Sequence, residues 1–129
     1  MNLPENLKFT KEHTWVSIKK NIATFGITEY AQKELGEIIF IELPEAGTEV
    51  IHMTEFGVIE SAKTSSDLYA PISGEVIQVN EELFDSPENI NRDPYNDGWM
   101  ITVKMSDPSE LDLLMSAEEY NDMIKEENE

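Results

Sequence analysis

Between Trp15 and Met105 the chain breaks into short runs of β-branched, aliphatic and aromatic residues, each ended by a turn-forming stretch of Gly, Pro, Asn, Asp or Ser. Runs this short bury one face of a strand, and too few of them carry helical periodicity to build a bundle. The chain is therefore expected to be mostly β. "WVSIKKNIATF" reads as a hairpin folded at Lys19-Lys20-Asn21, and "IIFIEL", "FGVIES", "DLYAP", "EVIQV" and "WMITVKM" read as further strands.

Helical signals are confined to two places. In "TEYAQKELG", Thr28 is an N-cap, Ala31 and Leu35 lie four apart, and Gly36 ends the helix. The tail, about 107–126, offers Asp107 as a cap with Pro108 first in the helix and Glu110 three residues on, then the capping-box pair Ser116 and Glu119. The loop from Glu81 to Gly98 carries two prolines and is expected to pack over the sheet without adding a strand. One echo runs through the chain, "GEIIFI" from Gly36 against "GEVIQV" from Gly74, as two similar β halves would produce. At 129 residues, a single domain over 1–129 is expected.

Asp and Glu number 27 against 9 Lys and Arg, for a formal net charge of -18. Such a balance disfavours nucleic-acid phosphate and anionic lipid as partners, and suits basic protein surfaces. Without cysteine, the protein brings no thiol chemistry of its own. The amino end has no signal-peptide order and no apolar run approaches a membrane span, so a cytoplasmic protein is expected; a monomer is expected as well.

Enzyme motifs are missing. His13 and His52 are the only histidines and neither sits in a nucleophile motif; His13, in "KEHTW", reads as a surface or packing residue. "DPYNDGWMITVK" has Asp and Gly at three calcium-loop positions but Tyr95 and Lys104 where oxygen ligands belong, so no metal site is expected.

One stretch remains to be explained, "ESAKTSSDLYAPISG" from Glu60 to Gly74. Lys63 falls between two strands, so it belongs at an exposed hairpin tip, where physics alone makes it a hydrated charge. Small neighbours Ala62, Thr64 and Ser65 leave its amine uncovered. This run resembles the lipoylation site of the glycine cleavage system H protein family. So do "KFTKEHTWV", "GITEYAQKELGEIIFIELPEAGTEV" and "NRDPYNDGWMITVKMSDPSELDLLMSAEEY", in the same order over nearly the whole chain.

The resemblance implies a lipoyl-domain-like flattened β-barrel, the barrel-sandwich hybrid, with a short internal helix and C-terminal helices. It implies lipoate in amide linkage to Lys63, with Glu60 and Gly74 read by the lipoate-attaching enzyme and Asp67 beside the arm. It also implies a non-catalytic carrier. Its partners would be glycine decarboxylase with PLP, aminomethyltransferase with tetrahydrofolate, and dihydrolipoamide dehydrogenase with FAD. Gly74 is also expected to make a tight turn at positive φ.

Two departures from the family pattern stand out. Thr14 occupies a position commonly Glu in the family, and Glu12, one before His13, would face the other side of a strand. "VIHMTEFG" lacks the usual turn Gly, so a different local loop is expected at Met53 and Thr54. Two other readings are a lipoyl or biotinyl domain of a larger complex, and an H-like lipoate relay or regulatory module. The first lacks its M-K-M or D-K-A motif at Ala62-Lys63-Thr64.

Overall fold

A computed structural model describes Pro4 and residues 6–127; positions 1–3, 5, 128 and 129 of the expected 1–129 unit lie outside the described residues. Among the described residues, nine strands form two antiparallel sheets. They are β1 (Lys8–Phe9), β2 (Thr14–Lys19), β3 (Ile22–Ile27), β4 (Ile38–Glu42), β5 (Glu49–Val50), β6 (Glu55–Ser61), β7 (Ser65–Tyr69), β8 (Gly74–Val79) and β9 (Ile101–Met105). The larger sheet runs β1-β2-β3-β9-β8-β5 and the smaller β4-β6-β7. Ala23, Phe25, Val76, Ile101 and Val103 of the first and Ile38, Ile41, Ile59 and Leu68 of the second share one buried core. Each of these side chains larger than alanine stabilises the sandwich by about 2 kcal/mol when fully buried. The architecture agrees with the flattened barrel-sandwich expected.

The hairpin at Lys20-Asn21 forms with Lys19 opposite Ile22, and Lys20 takes φ 58°. Helix α1 (Glu29–Leu35) starts where Thr28 Oγ1 accepts from Ala31 N–H and stops at Gly36, φ 87°. Between β8 and β9 the chain forms two short helices, α2 (Glu82–Asp85) and α3 (Asn89–Arg92). Neither has a side-chain cap; fully buried Leu83 and Ile90 anchor them. A 3-10 helix (Pro108–Leu113) precedes α4 (Ala117–Glu127), whose Tyr120 and Ile124 pack with Leu7, Phe9 and Trp15 in a second core.

Two local expectations need correction. Asp107 caps the 3-10 helix at Ser109, but Glu110 makes no capping box: its carboxylate accepts from Ser73 N–H and Oγ–H, both at 2.7 Å. Gly74 is not at positive φ. It lies in β8 opposite Met105, where a Cβ would fall 2.1 Å from the Lys104 carbonyl oxygen, so close approach excludes a side chain. At the turn before β6, Met53 itself adopts φ 62°, a conformation glycine reaches without steric cost. A non-glycine residue thus makes this turn in the left-handed region, and Met53 N–H donates to Ala70 O at 2.6 Å.

Candidate functional site

Lys63 sits in the connection between β6 and β7, exposed with Ala62 and Thr64. The tip is tight because buried Ser61 ties it through both backbone and side chain. Its backbone N–H donates to Thr64 O at 2.7 Å, and its Oγ accepts from the amides of Thr64 and Lys63 at 3.1 and 3.3 Å. Ala62 N–H donates to Glu37 O at 2.9 Å, fastening the tip to the chain entering β4. The backbone is held while the lysine amine stays open.

The aliphatic stem of Lys63 lies over Gly36, where a Cβ would meet its Cε at 3.2 Å. Leu35 and Glu34, the next residues back along α1, line a cleft of about 300 Å³. Its apolar floor comes from Ile27, Leu35, Ile59 and Leu68, its sides include His13 and Tyr30, and carboxylates of Glu12, Glu34, Asp67 and Glu127 stand around it. A flexible group on Lys63 therefore has an apolar slot with an acidic rim close by, beginning at Leu35, the neighbour of the Gly36 its stem lies over.

Of the four residues expected to matter, three share the hairpin and one does not. Glu60 lies exposed on β6 opposite Ser65, and Asp67 exposed on β7 opposite Val58, lining the cleft. Gly74 is buried in the other sheet, between Val50 and Met105. Thr14 is buried and does not line the cleft, whereas Glu12 does. The alternation argument against Glu12 fails because β2 begins only at Thr14, leaving Glu12 in the preceding turn.

His13 proves central to this cleft. Its Nδ1 is 2.7 Å from Tyr120 Oη, its ring centroid 4.8 Å from that of Tyr30, and its Nε2 3.5 Å from a Glu127 carboxylate oxygen. Burial lowers its pKa from 6.5, against the raising pull of Glu127, Glu12 and Glu34. Burial likewise raises Tyr120, only partly offset by its bond to Thr28. The positive φ of His13, 66°, left no trace in the sequence, and its hydrogen-bond partner Tyr120 lies 107 residues away.

The family model described as "Glycine cleavage H-protein" matches residues 7–127. This chain belongs to that family. Curated glycine cleavage system H proteins from two Staphylococcus epidermidis strains, RP62A and ATCC 12228, are each 54% identical over 126 residues, 98% of this chain and 100% of theirs. Among solved structures, that of a glycine cleavage system H protein from Mycobacterium marinum superposes with a TM-score of 0.84 at 35% identity, covering 92% of this chain and 95% of that one. Among the described residues, no helix is long and apolar enough to cross a membrane.

Proposed function

We propose that this chain is the lipoyl carrier of glycine cleavage, a single unit over 1–129 that bears lipoate on Lys63 and performs no bond cleavage of its own. The carrying observation is the hairpin tip: an exposed lysine on a backbone pinned by Ser61, its stem over Gly36, the residue that follows cleft-lining Leu35. The residues present suit the group. Ile27, Leu35, Ile59 and Leu68 offer apolar contact to an alkyl arm, and Glu12, Glu34 and Asp67 offer negative charge to an amine at its end.

When bound, lipoate supplies the disulfide that accepts the aminomethyl group of glycine and the attendant electrons. The protein's part is to present, shelter and release. A rigid tip fixes the root, so the tether visits partner active sites at high effective concentration. The cleft keeps the arm's end out of bulk water between visits. The partners in this reading are PLP-dependent glycine decarboxylase, aminomethyltransferase with tetrahydrofolate, dihydrolipoamide dehydrogenase with FAD, and a lipoate-attaching enzyme that reads Glu60. The setting is cytoplasmic and the carrier a monomer. Family membership over residues 7–127 favours glycine cleavage over a lipoate relay.

The test is expression with lipoate and its ligase, followed by intact and peptide mass spectra and an assay of glycine carboxyl exchange. One lipoyl group on Lys63, absent from Lys63→Arg, with exchange supported only by the modified wild type, is the expected result. An unmodified Lys63 would sink the reading, and modification without exchange would turn it to the lipoate relay.

A further inference from the structure

Helix α4 reaches the cleft from the far end of the chain, and its contacts there form a directed chain of hydrogen bonds. Tyr120 is fully buried, stacked on Phe9 at 4.8 Å between ring centroids, with its hydroxyl 2.7 Å from both Thr28 Oγ1 and His13 Nδ1. Thr28 Oγ1 also accepts from Ala31 N–H at the start of α1. Three elements thus meet at one phenol.

Proton counting decides the direction. Burial disfavours a doubly protonated His13; with a neutral ring and the buried Tyr120 hydroxyl proton used, either Thr28 donates to Tyr120 and Tyr120 to His13 Nδ1, or both bonds reverse. In the reversed arrangement His13 Nε2 would carry a lone pair facing the Glu127 carboxylate 3.5 Å away, which is repulsive. In the forward arrangement Nε2 carries the proton and points it at that carboxylate. The forward arrangement wins, and His13 is held as the neutral Nε2–H tautomer.

We propose that Tyr120 is a positioning residue for cargo retention: through His13 it fixes an uncharged wall in the arm cleft, so that α4 and the β sandwich together decide how long an amine-bearing arm stays sheltered. The inference rests on the carrier reading above. The groups facing His13 are Glu12 of its own turn, Tyr30 and Glu34 of α1, Tyr120 and Glu127 of α4, with Asp67 and Tyr69 of β7 lining the same cleft. Among that many carboxylates a cationic ring would neutralise the acidic rim that attracts the arm's amine. A neutral one leaves it intact.

Two measurements test this, with Tyr120→Phe keeping the ring that stacks on Phe9 while removing the hydroxyl. In the unmodified protein, nitrogen-15 NMR of His13 is expected to report the Nε2–H tautomer in wild type and a mixture in Tyr120→Phe. In the lipoylated, aminomethyl-loaded protein without the transferase, water replaces sulfur at the one-carbon unit, releasing formaldehyde and ammonia and leaving the dithiol, so ammonia release reads retention. Tyr120→Phe is expected to speed release at least about threefold, His13→Gln to do likewise, and the double variant to be no faster than the quicker single, because residues acting as a unit are non-additive. Multiplying effects in the double variant, unchanged release in Tyr120→Phe, or mixed tautomers in wild type would each overturn the proposal. Should Lys63 carry no lipoate, the carrier reading falls, while the tautomer measurement still decides the hydrogen-bond chain.

Discussion

Lys63 and Gly74 illustrate two ways a residue matters at a site. Lys63 matters by being uncovered: nothing in its hairpin constrains the side chain except the stem's contact with Gly36. Gly74 matters by what it lacks, since a methyl group there would collide with the Lys104 carbonyl in the neighbouring strand. The lysine's exposure was legible from its place between two strand runs. The reason for Gly74 was not, because close backbone approach across β8 and β9 is a tertiary property. Gly74→Ala is expected to cost about 3 kcal/mol or more as an overpacked core site, read as a lower midpoint in urea unfolding. Lipoylation should fall only in step with the folded fraction. A fully folded Gly74→Ala that resists lipoylation would instead give the glycine a direct part in enzyme recognition.

Elements with strong local codes were legible: α1 with its Thr28 cap and Gly36 stop, the Lys20-Asn21 hairpin, and the Ser116–Glu119 capping box. In that box Ser116 N–H donates to the Glu119 carboxylate at 2.9 Å and Glu119 N–H to Ser116 Oγ at 3.2 Å. Two-residue strands β1 and β5 carry no periodicity of their own and exist because β2 and β8 offer them edges. Glu110 matched a capping pattern, yet Ser73 in a distant turn competed for it with two bonds. The cleft was least legible, since His13, Tyr30, Tyr120 and Glu127 converge only after α4 folds back.

That fold-back has a pH signature. The capping bonds from Ser116 hold the Glu119 carboxyl below its ordinary 4.5, and burial holds His13 below 6.5. In both cases the native state binds fewer protons than the unfolded chain over the affected range, so stability rises with pH there. Stability is therefore expected to erode in two steps on acidification, first as pH falls below 6.5 toward the lowered His13 value, then below 4.5 toward that of Glu119. Thermal melts across this range should lose the first step in His13→Gln and weaken the second in Ser116→Ala, which also costs about 1 kcal/mol at neutral pH through loss of the cap. A single step in wild type, or steps unchanged by these substitutions, would contradict the assignment.

At the scale of the whole molecule the dominant quantity is charge. The formal balance of -18 becomes -19 once an amide on Lys63 removes one positive charge, and four carboxylates already surround the cleft beside that lysine. A carrier must find several partners and leave each quickly, which favours long-range attraction over large buried interfaces. Such attraction acts over the Debye length, about 30 Å at 0.01 M salt and about 10 Å at 0.1 M, and steering can raise association rates by tenfold or more. With lipoylated carrier as the varied substrate, kcat/KM of a partner enzyme is expected to fall about tenfold across that salt range, while kcat at saturating carrier stays level because encounter no longer limits it. Replacing exposed acids distant from the cleft, such as Glu45 and Glu75, with Gln should flatten the salt dependence without altering kcat. If kcat/KM were indifferent to salt, the acidic surface would serve solubility alone, and recognition would have to come from short-range contacts at the Lys63 hairpin.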